Sequence, residues 1–144
     1  MKNYRLLTVL FIALLMSVSS IVMAQQHVYT SATPEGEVKI TVVESSFQVS
    51  IVPEGNIVDF AILTNGSVSY DFKGRVDQVG NVSISYDVKG RIDDIDSESF
   101  MYDIKGRLTQ IGSTSIQYDA KGKIDQIGDV RISYDVRGNI DEIE

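Results

Sequence analysis

"GNVSISYDVKGRIDDI", residues 80–95, is one unit of a repeat whose near-copies run to the C-terminus. Tyr70, Tyr86, Tyr102, Tyr118 and Tyr134 mark its phase, 16 residues apart without a slip. Each tyrosine is followed by Asp, a variable residue, Lys and Gly, with Arg137 replacing lysine in the last copy. Aspartate first and glycine fourth is the preference of a type I turn whose glycine takes φ > 0, and such a turn commonly closes a hairpin with a glycine bulge. A second turn follows: Gly80-Asn81, Gly112-Ser113 and Gly128-Asp129. Glycine before a small polar residue suits a two-residue hairpin. One unit is therefore two short strands and two tight turns.

The second turn decides the topology. A hairpin requires it and a coil corner does not, so the reading is all-β: an antiparallel meander of short strands curled into a barrel, a roll or a spiral. The alternative is a parallel β-solenoid with one unit per coil. Val82, Ile84, Tyr86 and Val88 alternate with Ser83, Ser85 and Asp87, the pattern of a half-buried strand. Ile92 and Ile95 lie three apart and would fall on opposite faces of a flat strand. A bulge near Asp93-Asp94 returns both to one face and curls the sheet. A lone unit buries too little to offset the ordering of its backbone, so stacked copies must share a core.

Outside the array, Lys2 and Arg5 precede the apolar run Leu6–Met16, and Val22-Met23-Ala24 supplies small residues before Gln25. Residues 1–24 read as a secretory signal peptide, and the expected location is exported, periplasmic or extracellular. Residues 25–37 lack a pattern and read as a flexible arm. "IVPEGNIVDF" (51–60) aligns with "YDFKGRVDQV" (70–79), so residues 38–69 read as diverged repeats forming an N-terminal cap. Residues 70–144 hold the five units, the last one partial.

The five copies of "YDVKGRI" and its siblings resemble the YD repeats of bacterial rearrangement-hotspot and teneurin-type proteins, over about half of the chain. The resemblance implies hairpins wound into a curved sheet on exported or cell-surface proteins. Members of that family form large shells around toxins, or bind carbohydrate or protein. The 16-residue unit is shorter than the family's and five units are too few for a shell, so only hairpin geometry and an exported setting carry over.

After removal of the leader the net charge is −9, with 11 basic and 20 acidic residues. Such a chain repels nucleic-acid phosphates, so no nucleic-acid partner is expected. It has no cysteine, which excludes disulfides and thiolate metal sites. His27 alone could serve a Ser-His-Asp triad, and no phosphate-binding glycine loop is present. Asp93, Asp94, Asp96 and Glu98 form an acidic cluster without the order of an EF-hand loop, and an irregular turn there, with Phe100 and Met101 filling space, is the favoured reading. No cofactor and no metal are expected.

Nine of the 11 basic residues sit at fixed repeat positions. Arg75, Arg91, Arg107 and Lys123 follow the turn glycine, where Asp87 and Arg91 would face each other across the hairpin. Lys73, Lys89, Lys105, Lys121 and Arg137 sit at the turn tips, and in a meander all five project from one edge. That edge is the candidate site for an anionic partner. The tyrosines read as a core ladder beside Val76, Ile92, Leu108 and Ile124. The function expected is non-catalytic: a structural or binding role at the cell envelope, towards carbohydrate, an anionic envelope component or a protein. The alternative is an exported glycan hydrolase using paired carboxylates.

Overall fold

The computed structural model describes residues 27–144, and the predicted signal peptide lies outside them. Fourteen strands follow in chain order: β1 (His27–Ala32), β2 (Val38–Val43), β3 (Phe47–Ile51), β4 (Ile57–Ile62), β5 (Val68–Tyr70), β6 (Val76–Val79), β7 (Val82–Tyr86), β8 (Ile92–Ile95), β9 (Glu98–Tyr102), β10 (Leu108–Ile111), β11 (Thr114–Tyr118), β12 (Ile124–Ile127), β13 (Val130–Tyr134) and β14 (Ile140–Ile143). They form a four-stranded sheet, β1 to β4, and a ten-stranded sheet, β5 to β14, each with its strands side by side in chain order. Every pairing is antiparallel, which overturns the parallel-solenoid alternative. The meander does not close into a barrel: β5 and β14 stand at opposite ends of the order.

Both predicted turns are present. Gly90 N–H donates to Asp87 O at 2.9 Å, Asp87 N–H donates to Arg91 O at 2.8 Å, and Gly90 takes φ +83°. The bulge also falls where the isoleucine spacing requires it. Tyr86 pairs with Ile92 and Ser85 with Asp94, so Asp93 is the extra residue. Ile92 and Ile95 are both buried as a result. The same shift recurs at β5/β6, β9/β10, β11/β12 and β13/β14.

The acidic turn differs from expectation. Asp96 occupies the place of the glycine yet keeps the regular geometry, with φ +56° and its N–H on Ser83 O at 2.8 Å. Gly112 in the next unit has φ +53° and the same bond to Ser99 O at 2.8 Å. Met101 fills no space there, because it faces outward and is 52% exposed. Only Phe100 turns in, where its ring lies 5.8 Å from that of Phe47.

The N-terminal region departs further from the sequence reading. Residues 27–32, expected within a flexible arm, are strand β1, paired with β2 from His27↔Val43 to Ala32↔Val38. The strand carries little apolar signal because it is an edge: Val28 alone of its residues packs on the core. In the region read as diverged repeats, the β3–β4 hairpin has the unit's turn, with Gly55 N–H on Val52 O at 2.8 Å, and its register shift at Ser50/Ile51, while β1 to β4 form a sheet of their own. That sheet packs against the meander, so that Ile40, Val42, Phe47, Val49 and Ile51 share one core with Ile84, Ile95, Leu108, Ile111, Ile124 and Ile127. The β3–β4 turn docks on the third and fourth units: Leu108 N–H donates to Gly55 O at 2.9 Å and Ile124 N–H to Pro53 O at 2.8 Å. Gly55 is required at this contact. It takes φ +92°, and a Cβ there would overlap the Tyr118 ring, 2.8 Å from Cε1 and Cζ.

Candidate functional site: the cationic turn edge

Each turn is built around its aspartate. Asp87 Oδ1 accepts the Lys89 and Arg91 amides at 2.8 and 2.9 Å, while Oδ2 accepts Arg91 Nε at 2.7 Å and pairs with Nη2 at 2.6 Å. Asp71 with Arg75 and Asp103 with Arg107 repeat the arrangement. Partial desolvation raises the Asp87 carboxyl, but the amide and guanidinium bonds from Arg91 and Lys89 outweigh it. The group sits below the ordinary carboxylate range. The aspartate is thus held as an anion and neutralises the arginine, not the lysine.

The same arginine reaches forward to the next unit. Arg75, Arg91 and Arg107 lie over the rings of Tyr86, Tyr102 and Tyr118 at 4.0, 4.0 and 4.1 Å from the centroids. Lys123 takes the place over Tyr134 at 5.0 Å, and its Nζ donates to Gly138 O at 2.5 Å. Each tyrosine hydroxyl in turn donates backward, Tyr86 to Val76 O at 2.8 Å, Tyr102 to Ile92 O at 2.7 Å, Tyr134 to Ile124 O at 2.6 Å, and Tyr118 to Leu108 O. Burial pushes the Tyr102 hydroxyl up to about 12 against the lowering pull of Arg91. These tyrosines pack on the core, whereas Tyr70, with no unit before it, is 62% exposed. The ladder was not legible in single positions, but the signal existed: wherever Arg or Lys follows the glycine, a tyrosine lies 11 residues on.

That staple makes the turns one continuous edge. Arg75 Nη1 lies 3.6 Å from where a Gly90 Cβ would be, and Arg91 and Arg107 approach the next two turns at 3.8 and 3.7 Å. Lys73, Lys89, Lys105, Lys121 and Arg137 are all exposed along it. The structure brings them to one edge but into no shared pocket. Units should recur about every 10 Å, two strand spacings. Lys73 Nζ lies 5.6 Å from the Phe72 ring. The residue before each cation corrects the sequence reading: the strand ends at Tyr86, so Val88 does not continue its buried face, and Phe72, Val88, Ile104 and Val136 are 93–105% exposed.

Elsewhere, the acidic cluster does not converge. Asp94 accepts hydroxyls from Ser85 at 2.9 Å and Ser99 at 2.6 Å, while the Glu98 carboxylate lies against Gly112. Among the described residues no group of three or more His, Cys, Asp or Glu side chains could hold a metal ion. His27 is exposed on the edge strand β1. An open groove of 380 Å³ near the C-terminus is lined by Asp125, Arg131, Glu142 and Glu144 among others, and the proximity of Glu144 raises the Glu142 carboxyl above its ordinary range.

Compared with known protein families and with curated proteins, the chain matches none. No helix among the described residues is long and apolar enough to cross a membrane.

Proposed function

We propose that this chain is an exported, non-catalytic repeat protein, built from short YD-type hairpins, that holds an anionic component of the cell envelope on its lysine edge. One observation carries the reading. Five exposed cations recur at one repeat position along one edge of a net-acidic chain, and in the first three turns the aspartate beneath is already engaged by an arginine. Charge at an exposed edge is screened over about 8–10 Å at moderate salt, so binding should fall steeply as salt rises. The test is sedimentation of the protein, begun at Gln25, with envelope fractions across a salt series. Lys89→Glu, Lys105→Glu and Lys121→Glu together should abolish it. Unchanged sedimentation of that variant refutes the lysine edge as the contact.

A second reading rests on the C-terminal groove, whose lining includes Asp125, Glu142 and Glu144. An acid with a raised pKa beside a second carboxylate is the pairing glycan hydrolysis needs. Release of reducing sugar from envelope glycans, lost in Glu142→Gln, would move the assignment to an enzyme.

A further inference from the structure

The four apolar side chains at the turn tips are more exposed than any other large apolar side chain among the described residues. Phe72, Val88, Ile104 and Val136 are 93%, 101%, 102% and 105% exposed, whereas no other exposed large apolar side chain among the described residues exceeds 62%. They occupy one repeat position, and in the remaining unit it holds the exposed Ala120. A tip that only closed a hairpin would have no reason to be apolar, since turn positions favour Asn, Asp, Ser, Gly and Pro. Each apolar tip is followed in sequence by a cation. The edge therefore presents an alternating comb of aliphatic or aromatic groups and ammonium groups.

We infer that this comb docks on an anionic lipid surface, with the tips of neighbouring turns entering the boundary between headgroups and acyl chains and the lysines seated among the phosphates. The inference rests on the proposed lysine edge and names its partner. Three physical points favour lipid. Charge complementarity is local: the edge is cationic while the protein as a whole carries −9 after the leader, so attraction to anionic headgroups is oriented. The apolar groups stand clear of the backbone and need no pocket, which suits a fluid surface. A lysine beside an apolar tip keeps its charge at headgroup level while its stem lies along hydrocarbon. A soluble anionic glycan would use the lysines and leave the apolar tips without a role.

The experiment uses the protein begun at Gln25, since the apolar leader would itself bind lipid and all the described core lies beyond it. The chain contains no tryptophan, so Ile104→Trp supplies a single fluorescent reporter at a fully exposed tip. Vesicles of phosphatidylcholine alone and of phosphatidylcholine with phosphatidylglycerol are compared. Sedimentation with the anionic vesicles only is expected, together with a blue shift of the indole emission in the Ile104→Trp protein and its quenching by brominated lipid. Val88→Ser with Ile104→Ser should weaken that binding about tenfold or more, with an unchanged melting curve because both side chains are free of packing. Absence of binding to the anionic vesicles overturns the inference, as does an unshifted indole emission from bound protein or equal binding by the serine variant. If the vesicles fail while the lysine reversals still abolish envelope binding, the lysine edge stands and its partner is not lipid. Tight binding to dextran sulfate that ignores the serine substitutions would assign the edge to an anionic glycan and also overturn the inference.

Discussion

Removing the guanidinium from Tyr102 tests whether the units are held together by the arginine staple. Arg91→Ala deletes a cation 4.0 Å from the Tyr102 centroid, and Tyr102→Leu keeps apolar bulk while deleting the ring. Arg91→Ala also deletes the ion pair with Asp87, but it does so with or without the Tyr102 ring, so that loss cancels in a double-mutant cycle. Cation–π contacts contribute about 0.5–1 kcal/mol when exposed and about 2 when desolvated. Arg91 and Tyr102 are each part-buried, which places the expected coupling at roughly 1–1.5 kcal/mol. The hydroxyl bond to Ile92 O falls outside that term, and Tyr102→Phe should lose about 0.5–1.5 kcal/mol on its own account. Arg91→Lys should keep part of the coupling, as Lys123 does over Tyr134 at the longer 5.0 Å. Urea denaturation of the four members of the cycle supplies the free energies. Additivity within about 0.3 kcal/mol would refute the staple as an energetic link.

Three further outcomes follow from the geometry. Tyr102 and Tyr118 are raised from 10.0 to about 12 by burial, so the folded state holds protons that the unfolded chain releases. That stability is complete below pH 10 and is lost as pH climbs from 10 towards 12; urea midpoints at pH 9 and pH 11 should differ less in a variant with both tyrosines changed to phenylalanine. Asp96→Gly relieves φ +56° at the cost of one long Ser46 hydroxyl contact of 3.5 Å and should raise stability by about 0.5–1 kcal/mol in denaturant melts, an unchanged midpoint counting against strain at that turn. Gly36→Ala and Gly55→Ala meet nearly the same φ, +87° and +92°, but only the second strikes Tyr118. Gly55→Ala should therefore cost at least about 1 kcal/mol more than Gly36→Ala, and equal losses would place the docked hairpin elsewhere.

The meander was legible because its signals are local. The turn residues, the glycine places and the Ile92/Ile95 spacing are each read within one unit, and the extra residue at Asp93 follows from them. The docking of Pro53 and Gly55 on the third and fourth units was not legible, because all five units carry the same pattern and nothing in the phase marks two of them as a receptor. Strand β1 was missed because an edge strand held by backbone pairing needs no apolar alternation. The turn-tip residues mislead for the opposite reason: Val88 extends the apolar alternation of Val82, Ile84 and Tyr86, and only its exposure, shared by Phe72, Ile104 and Val136, shows that the strand has ended at Tyr86.

The forward reach of each arginine bears on how the gene can change. A tandem duplication of one unit would arrive with its tyrosine ready for the arginine before it and its own arginine ready for the tyrosine after it. Slippage between such similar units can therefore lengthen or shorten the array without inventing an interface. Two places resist. Asn139 stands where the other units carry Arg or Lys, and its side chain turns back to Asp135 Oδ2 at 3.0 Å, so nothing extends forward from the final unit. The pair of units that receives the β3–β4 turn must also stay at a fixed distance along the chain from Gly55. Variation in copy number among natural alleles should accordingly fall between the fourth unit and the last, where a copy can be gained with both neighbours already in place.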